Sequence, residues 1–246
     1  MNYLSSMFWG VRNPGFFEAM QQAIDNTPQQ GIYTGDNLFT FSKNLSFLNN
    51  KPFMDAYNKN VTTEVERAIL WRIYVVAWAA KSVISRNIPG DFVECACYKG
   101  TTARIVSDYV DFAKQEKSYY LYDLFEHDES MMHHAMPEHS ATLFEQVKNR
   151  FADLSNVIVT KGHVPNVLHE VSPQKVSLLH IDLNNAAAEI GALEILFDRL
   201  SPGGILILDD YGWLGYREQK LAEDPWLAKR GYEVLELPTG QGVIFK

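Results

Sequence analysis

Short apolar runs alternate with helix-like segments from residue 91 to residue 246, and this alternation constrains the fold more than any other feature of the sequence. The runs are rich in Val, Ile, Leu and aromatic residues, as is typical of parallel strands that helices cover on both faces. Five of them are DFVECAC (91–97), SYYLYDLF (118–125), NVIVTKG (156–162), VSLLHIDL (176–183) and GGILILDD (203–210). The pattern predicts a doubly wound, Rossmann-like α/β domain.

The segments between these runs resemble helices. They are TTARIVSDYVDFAKQ (101–115), SATLFEQVKNRFADL (140–154), a short helix or turn at PNVLHEV (165–171), AAAEIGALEILFDRL (186–200) and a helix near 215–230. Ser140 is the predicted N-cap of the second segment, because a serine hydroxyl can accept a hydrogen bond from a backbone N–H of the first turn. Residues 232–246 hold two strand-like runs around PTGQG, which predicts a closing hairpin.

Residues 1–87 do not continue this alternation. PGFFEAMQQAI (14–24) predicts a short amphipathic helix, and VERAILWRIYVVAWAAKSVI (65–84) predicts one strongly apolar helix. The residues between them, 33–60, are rich in Asn, Lys and aromatic side chains and predict a loop. We therefore expect a helical extension over residues 1–87, packed on an α/β domain over residues 88–246.

Composition and charge narrow the functional classes. The formal net charge of −8 disfavours a protein that follows the phosphate backbone of a nucleic acid. No apolar run reaches the roughly 20 residues that span a bilayer, and the first residues lack the pattern of a signal peptide. Cys95 and Cys97 stand two residues apart, which suits one face of a strand and not a metal-binding CxxC motif. We expect a cytoplasmic protein without a disulfide framework.

Carboxylates lie at or near the carboxyl ends of four of the predicted strands. They are Glu94, Asp123, Asp182 and the pair Asp209–Asp210. In open α/β sheets, ligands bind beyond the carboxyl ends of the strands, near the point where the strand order reverses. The acids therefore mark a candidate ligand site at one edge of the sheet.

The first two acids indicate a cofactor that contains a nucleoside. Gly100 can let the backbone approach a ligand, and Asp123 is well placed to bind both hydroxyls of a ribose. The turn has ECACYKGTT in place of the G-x-G-x-x-G of dinucleotide enzymes, and Glu94 would repel a pyrophosphate. S-Adenosylmethionine, with its sulfonium and α-amino groups, can face a glutamate. The alternative is that Glu94 merely pairs with Lys99 or Arg104.

The later acids indicate a metal. If their strands are neighbours, Asp182, Asp209 and Asp210 come together, because adjacent strands lie about 4.8 Å apart. Three carboxylates that close cannot all stay ionised without a cation. A set of oxygen ligands without His or Cys favours Mg²⁺ or another hard divalent ion over Zn²⁺. The alternative is that Asp209 caps the next turn while Asp210 points to solvent.

Four segments together resemble the macrocin O-methyltransferase family. They are GDFVECACYKGTTARIV, YLYDLFE, HIDLNNAAAEIGALEILFDRLSPGGILILDDYG and GYREQK, which cover about residues 88–220. The resemblance implies a class I enzyme that depends on S-adenosylmethionine and a divalent metal and methylates sugar hydroxyls of natural products. It also implies a seven-stranded sheet whose last strand is antiparallel. More distantly, the layout of acids is similar to that of catechol O-methyltransferase.

The resemblance also implies roles for individual residues. Those near the cofactor would be Glu94, Ala96, Tyr98, Gly100, Asp123, Leu124, Phe125, Gly162, His163 and Asp182. The metal would be held by Asp182, Asp209 and Asp210. Two departures stand out, since Ala96 replaces the usual glycine, and Asn184 and Asn185 occupy positions where family members often have a general base. An amide cannot accept a proton at neutral pH.

The missing base leaves several candidates. Asn184 keeps the polar shape of the catalytic corner, and a metal alone could lower the pKa of the acceptor hydroxyl. His180 shares the strand face of Asp182, although a packed core histidine is the more common role. The segment FEHDESMMHHAMPEHS (125–140) offers His139 and other histidines, and we expect it to form a lid. A solvated loop is the alternative for this segment.

Two functional hypotheses follow. The first is an O-methyltransferase that depends on S-adenosylmethionine and Mg²⁺ and acts on a hydroxyl of a small molecule, such as a sugar or glycoside. The second is a protein of the same fold that binds the cofactor without transferring methyl. An oxidoreductase is disfavoured because the glycine signature of dinucleotide binding is absent. We further expect no nucleic-acid or membrane partner, and a homo-oligomer.

Overall fold

The computed structural model describes residues 1–127, 131 and 135–246. The chain divides into two compact units, Met1–Tyr74 and Val75–Lys246. The division falls inside a helix that the sequence pattern assigns entirely to the extension. Within the described ranges, no helix combines the length and apolar character that crossing a membrane requires.

The first unit contains a small sheet as well as helices. Its elements are β1 (Tyr3–Leu4), α1 (Pro14–Asp25), β2 (Tyr33–Gly35), β3 (Leu38–Thr40), a 3₁₀ turn (Ser46–Asn49), α2 (Lys51–Asn60), α3 (Glu64–Ala68) and the start of α4 (Leu70–Ser85). The helix predicted at 14–24 is confirmed as α1. The prediction of a loop over 33–60 was wrong. Asp36 and Asn37, both with positive φ, form the two-residue turn of a hairpin there, and Asn50 caps α2 through Phe53 N.

The single helix predicted over 65–84 was also wrong, because it is interrupted at Ile69. The hydroxyl of Tyr33 inserts at the break. It accepts a hydrogen bond from Trp71 N at 3.2 Å and donates one to Ala68 O at 3.2 Å. A side chain that enters the ladder of backbone hydrogen bonds is a known cause of helix breaks.

The second unit is built on the seven-stranded sheet. Its strands are β4 (Asp91–Cys95), β5 (Tyr119–Asp123), β6 (Val157–Lys161), β7 (Val176–Ile181), β8 (Leu200–Leu208), β9 (Leu235–Glu236) and β10 (Gly242–Phe245). The spatial order is β6-β5-β4-β7-β8-β10-β9. Neighbours among β4–β8 pair in parallel, whereas β10 is antiparallel to both β8 and β9. The predicted doubly wound sheet with an antiparallel last strand is confirmed.

The connecting helices agree with the sequence pattern, with two corrections. They are α5 (Thr101–Tyr109), α6 (Leu143–Arg150), α7 (Ala186–Leu196) and α8 (Arg217–Ala228), with 3₁₀ turns at Phe112–Lys114 and Asn166–His169. The helix predicted to reach residue 115 ends at Tyr109, because Asp111 adopts a left-handed φ of 52°. Ser140 is not an N-cap. Its N–H donates to Phe125 O, and α6 begins three residues later, after Thr142.

The sheet brings the acid-bearing strand ends to one edge. All six residues of β7 are buried, and this strand lies between β4 and β8. Glu94 is the register partner of His180, and Ile181 is the partner of Leu208. The residues that follow β4, β7 and β8 therefore emerge side by side.

Gly100 shapes the turn from β4 into α5. It has a φ of +70°, and a Cβ at this position would lie 2.7 Å from Phe151 Cε2. Packing against Phe151 and the left-handed backbone thus explain the glycine. Gly231 offers a control, since it has a φ of +81° but open space around the position of a Cβ.

We expect Gly231→Ala to destabilise the protein by about 1–2 kcal/mol, the cost of a left-handed L-residue. Gly100→Ala adds a clash in a packed region and should cost a further 1–3 kcal/mol or so. Urea unfolding of both variants measures the difference. Equal losses of unfolding free energy in the two variants would show that Phe151 does not restrict the turn.

Candidate active site

Residues with left-handed backbones cluster at the carboxyl edge of the sheet. Ala96, Tyr98, Phe125 and Asn184 have φ values of 67°, 49°, 61° and 54°, and all lie in loops that follow β4, β5 or β7. Such conformations cost free energy in residues other than glycine and concentrate at functional sites. The φ of Ala96 also supplies a physical reason why a glycine would suit this position, since glycine adopts it without strain.

Asp123 ties together the loops that follow β4, β5 and β6. Its Oδ2 accepts a hydrogen bond from Tyr98 N at 2.7 Å, and its Oδ1 accepts one from Phe125 N at 2.6 Å. Its backbone carbonyl accepts one from Gly162 N at 3.0 Å. The structure therefore brings together four residues that the sequence assigns to the cofactor.

The residues predicted near the cofactor differ in how exposed they are and in what they pack against. The Phe125 ring is fully buried and packs 5.3 Å from the ring of Phe144, and Leu124 is half-buried. His163 is exposed, and its carbonyl accepts a hydrogen bond from Val167 N. A Cβ at Gly162 would lie 2.9 Å from Val167, so packing explains this glycine too.

Glu94 begins a buried row of polar side chains that crosses the sheet. It accepts a hydrogen bond from the Tyr119 hydroxyl at 2.7 Å, and its Oε2 lies 3.7 Å from His180 Nδ1. His180 Nε2 lies 3.2 Å from Asp209 Oδ1, which also accepts a hydrogen bond from Gln241 Nε2 at 2.7 Å. The row connects the predicted cofactor acid with a predicted metal ligand.

Glu94 does not make the ion pairs considered as its alternative role. Lys99 pairs with Glu138 at 3.0 Å. Arg104 pairs with Asp108 and Asp153. The charged partner within 4 Å of Glu94 among the described residues is instead His180.

The position of His180 argues against a role as general base. Burial lowers the pKa of its imidazole, but the hydrogen bond with Asp209 and the negative charges of Asp209 and Glu94 outweigh burial and raise the pKa well above 6.5. A protonated imidazole has no lone pair with which to accept a proton. The ring therefore fits the packed role that the sequence offered for it, between two carboxylates.

The three aspartates of the predicted metal site lie together. One carboxylate oxygen from each of Asp182, Asp209 and Asp210 is within 4.8 Å of the others. Asp209 and Asp210 are 8% and 7% exposed, so Asp210 does not point to solvent. Asp182 N donates to Cys95 O, and Asp209 N donates to Ile181 O, which fixes both residues to neighbouring strands. A hard divalent cation suits this set of oxygens.

The two asparagines after Asp182 have different surroundings. Asn185 is the N-cap of α7, where its Oδ1 accepts a hydrogen bond from Ala188 N at 3.0 Å. The Oδ1 atom of Asn184 is buried and has no hydrogen-bond partner within the described part of the chain. A buried oxygen in this state, two residues from Asp182, suits a cation or a donating hydroxyl. The cap at Asn185 could have been predicted from its place before an alanine-rich helix.

The predicted lid is described in part. Glu138 contacts the hydroxyl of Tyr98 and the ammonium of Lys99, and the ring of His139 lies 5.1 Å from that of Tyr98. His139 Nδ1 accepts a hydrogen bond from Met136 N at 3.1 Å. This part of the segment thus packs on the turn that follows β4. His133 and His134 lie outside the described residues.

Two buried acids, Glu189 on α7 and Glu223 on α8, are not among the residues that the sequence pattern singles out. Glu189 Oε1 accepts hydrogen bonds from Leu183 N at 3.2 Å and from Gln219 Nε2 at 2.5 Å. The sequence signal for Glu189 is a glutamate among the small apolar residues of AAAEIGA. A glutamate on an exposed helix face would give the same pattern.

The sheet order, the antiparallel last strand and the acids at the strand ends define a class I methyltransferase fold. Residues 70–224 match the family of macrocin-O-methyltransferase (TylF). The match covers more than half of the chain, and the chain belongs to this family of O-methyltransferases. No curated protein matches the chain in sequence.

Solved structures share the fold at low sequence identity. The O-methyltransferase NovP is 21% identical over 73% of this chain and 81% of its own, with a TM-score of 0.60. CalS11, a TDP-rhamnose 3'-O-methyltransferase of calicheamicin biosynthesis, is 15% identical over 96% of both chains, with a TM-score of 0.55. The Podospora anserina methyltransferase PaMTH1, bound to S-adenosylhomocysteine, is 13% identical over 99% of this chain and 100% of its own, with a TM-score of 0.53.

The cap at Asn185 can be tested by substitution. We expect Asn185→Ala to lower the free energy of unfolding by about 1 kcal/mol, because the first turn of α7 loses a hydrogen bond. Asn185→Ser retains an acceptor oxygen and should keep most of the stability. Urea unfolding measures both. A fully stable Asn185→Ala variant would contradict the structural role of the cap.

Proposed function

We propose that the protein is an O-methyltransferase that uses S-adenosylmethionine and a divalent cation to methylate a hydroxyl of a sugar or glycoside. The convergence of Asp182, Asp209 and Asp210 at the same sheet edge as Glu94 and Asp123 carries this proposal. Membership of the macrocin-O-methyltransferase family supports it, as does the sugar substrate in the name of CalS11.

Asp123 and Glu94 would bind the two ends of the cofactor. Each Asp123 oxygen accepts one backbone hydrogen bond, and a carboxylate oxygen has a second lone pair for a ribose hydroxyl. Glu94 is buried and would attract the α-amino and sulfonium charges of the methionine end. The left-handed turn at Ala96 and Tyr98 would hold the backbone between these two acids.

The three aspartates would hold the cation, and the buried Oδ1 of Asn184 would accept a hydrogen bond from the acceptor or join them as a neutral ligand. When bound, the cation would lower the pKa of a coordinated acceptor hydroxyl. The pKa of His180 is raised well above 6.5 by Asp209 and Glu94, which favours its protonated form, and His139 uses Nδ1 to accept a backbone hydrogen bond. We therefore assign deprotonation of the acceptor to the metal site, and not to a histidine or to Asn184.

The second candidate is a protein of the same fold that binds the cofactor but transfers no methyl group. The asparagines in place of a carboxylate or histidine favour it. Asn185, however, is used as a helix cap, so its identity says little about catalysis. Four further points stay predictions. They are a small hydroxylated acceptor, a homo-oligomer, a cytoplasmic location and the lack of a nucleic-acid or membrane partner.

Methyl transfer from labelled S-adenosylmethionine to a panel of nucleotide sugars and glycosides tests the proposal. We expect turnover that EDTA abolishes and Mg²⁺ restores. Asp210→Asn should lower the rate about 10–100-fold, as losses at metal sites do. Asp198→Asn removes an exposed acid beyond the end of α7 and should leave the rate unchanged.

Turnover that is insensitive to both EDTA and Asp210→Asn would refute the role of the metal. Binding of S-adenosylhomocysteine without transfer to any acceptor would favour the second candidate.

A further inference from the structure

The loop that carries Asp182 is held from inside the protein by Glu189. This carboxylate is 3% exposed, although it belongs to the first turn of α7. Its Oε1 accepts hydrogen bonds from Leu183 N at 3.2 Å and from Gln219 Nε2 on α8 at 2.5 Å. The side chain thus reaches back past the N-cap of its own helix to the residue next to Asp182.

Gln219 on α8 holds Glu189 in turn, through the hydrogen bond from its Nε2. A second buried acid on α8, Glu223, lies near Glu189, and neither of its carboxyl oxygens has a hydrogen-bond partner among the described residues. Burial is the main cause that raises the pKa of both carboxyl groups, which favours their neutral forms. Glu189 is therefore anchored to α8 by Gln219 and to the loop by Leu183 N.

The loop needs such support because its backbone is strained. Asn184 adopts a left-handed φ of 54°, directly after Leu183. Asn185 fixes the far end of the loop by capping Ala188, and Glu189 fixes its near end through Leu183 N. A loop pinned at both ends holds Asp182 and Asn184 in one arrangement, which metal binding requires.

We propose that Glu189 is a positioning residue for the metal site, which fixes the backbone at Leu183 and so directs Asp182 toward Asp209 and Asp210. The inference rests on the proposed role of the aspartates in binding a cation. It assigns to Gln219 the task of holding the Glu189 side chain in place. A purely structural alternative is that Glu189 and Gln219 join α7 to α8 and have no influence on Asp182.

Two substitutions at residue 189 separate the effect of side-chain length from the effect of the carboxyl group. Glu189→Gln keeps the length of the side chain and an acceptor oxygen for Leu183 N but removes the acid. Glu189→Asp keeps the acid but is one methylene shorter, which withdraws the acceptor from Leu183. Glu194→Gln is the matched control, because Glu194 is an exposed acid on the same helix and makes none of these contacts.

Mn²⁺ binding by calorimetry and amide hydrogen exchange at Leu183 are the two readouts, with thermal unfolding as a check on the fold. We expect Glu189→Asp to weaken Mn²⁺ binding about 10-fold or more, in line with losses from outer positions of metal sites. Exchange at Leu183 should accelerate in the same variant. Glu189→Gln and Glu194→Gln should match the wild-type protein within about threefold in both measurements.

The positioning role would be overturned if Glu189→Asp bound Mn²⁺ as tightly as the wild-type protein. It would also be overturned if Glu189→Gln and Glu189→Asp lost Mn²⁺ affinity equally. Failure of the wild-type protein to bind Mn²⁺ would instead refute the proposed metal site, and the inference with it. The Leu183 exchange rates distinguish these cases, because they report whether Glu189 holds the loop in the absence of any metal.

Discussion

The arrangement of the site depends on Asp209, because this residue belongs both to the buried row of polar side chains and to the cluster of three aspartates. On one side it lies 3.2 Å from His180 and accepts a hydrogen bond from Gln241. On the other it lies within 4.8 Å of Asp182 and Asp210. A buried carboxylate is stable only where partners offset its loss of solvent. His180, whose pKa is raised well above 6.5 by Asp209 and Glu94, supplies this offset within the sheet, and a cation would supply it at the edge.

Side chains hold the backbone of the loops that follow β4 and β7. Asp123 fixes the turn after β4 through Tyr98 N, and Glu189 fixes the loop after β7 through Leu183 N. Both clamps are carboxylates that accept backbone hydrogen bonds next to residues with left-handed φ. Such preorganisation limits the movement of the ligand groups before any ligand binds.

The sheet and the cluster of aspartates could be predicted because buried parallel strands leave a strong apolar signal and their carboxyl ends meet at one edge. The break at Ile69 could not, since it depends on the hydroxyl of Tyr33, which is remote in sequence. The pair Glu189–Glu223 lies on two helices whose packing no local pattern reveals. Asn185 was interpreted as a lost base, because a cap and a catalytic position fall on adjacent residues there.

Calorimetric titration of S-adenosylhomocysteine into the protein with Mg²⁺ present tests whether this acid-lined edge holds the cofactor. We expect binding at one site per chain, weakened about tenfold or more by Asp123→Asn, because a hydrogen bond to a charged group contributes roughly 1.5–3 kcal/mol. The absence of S-adenosylhomocysteine binding, together with binding of NADH, would contradict it.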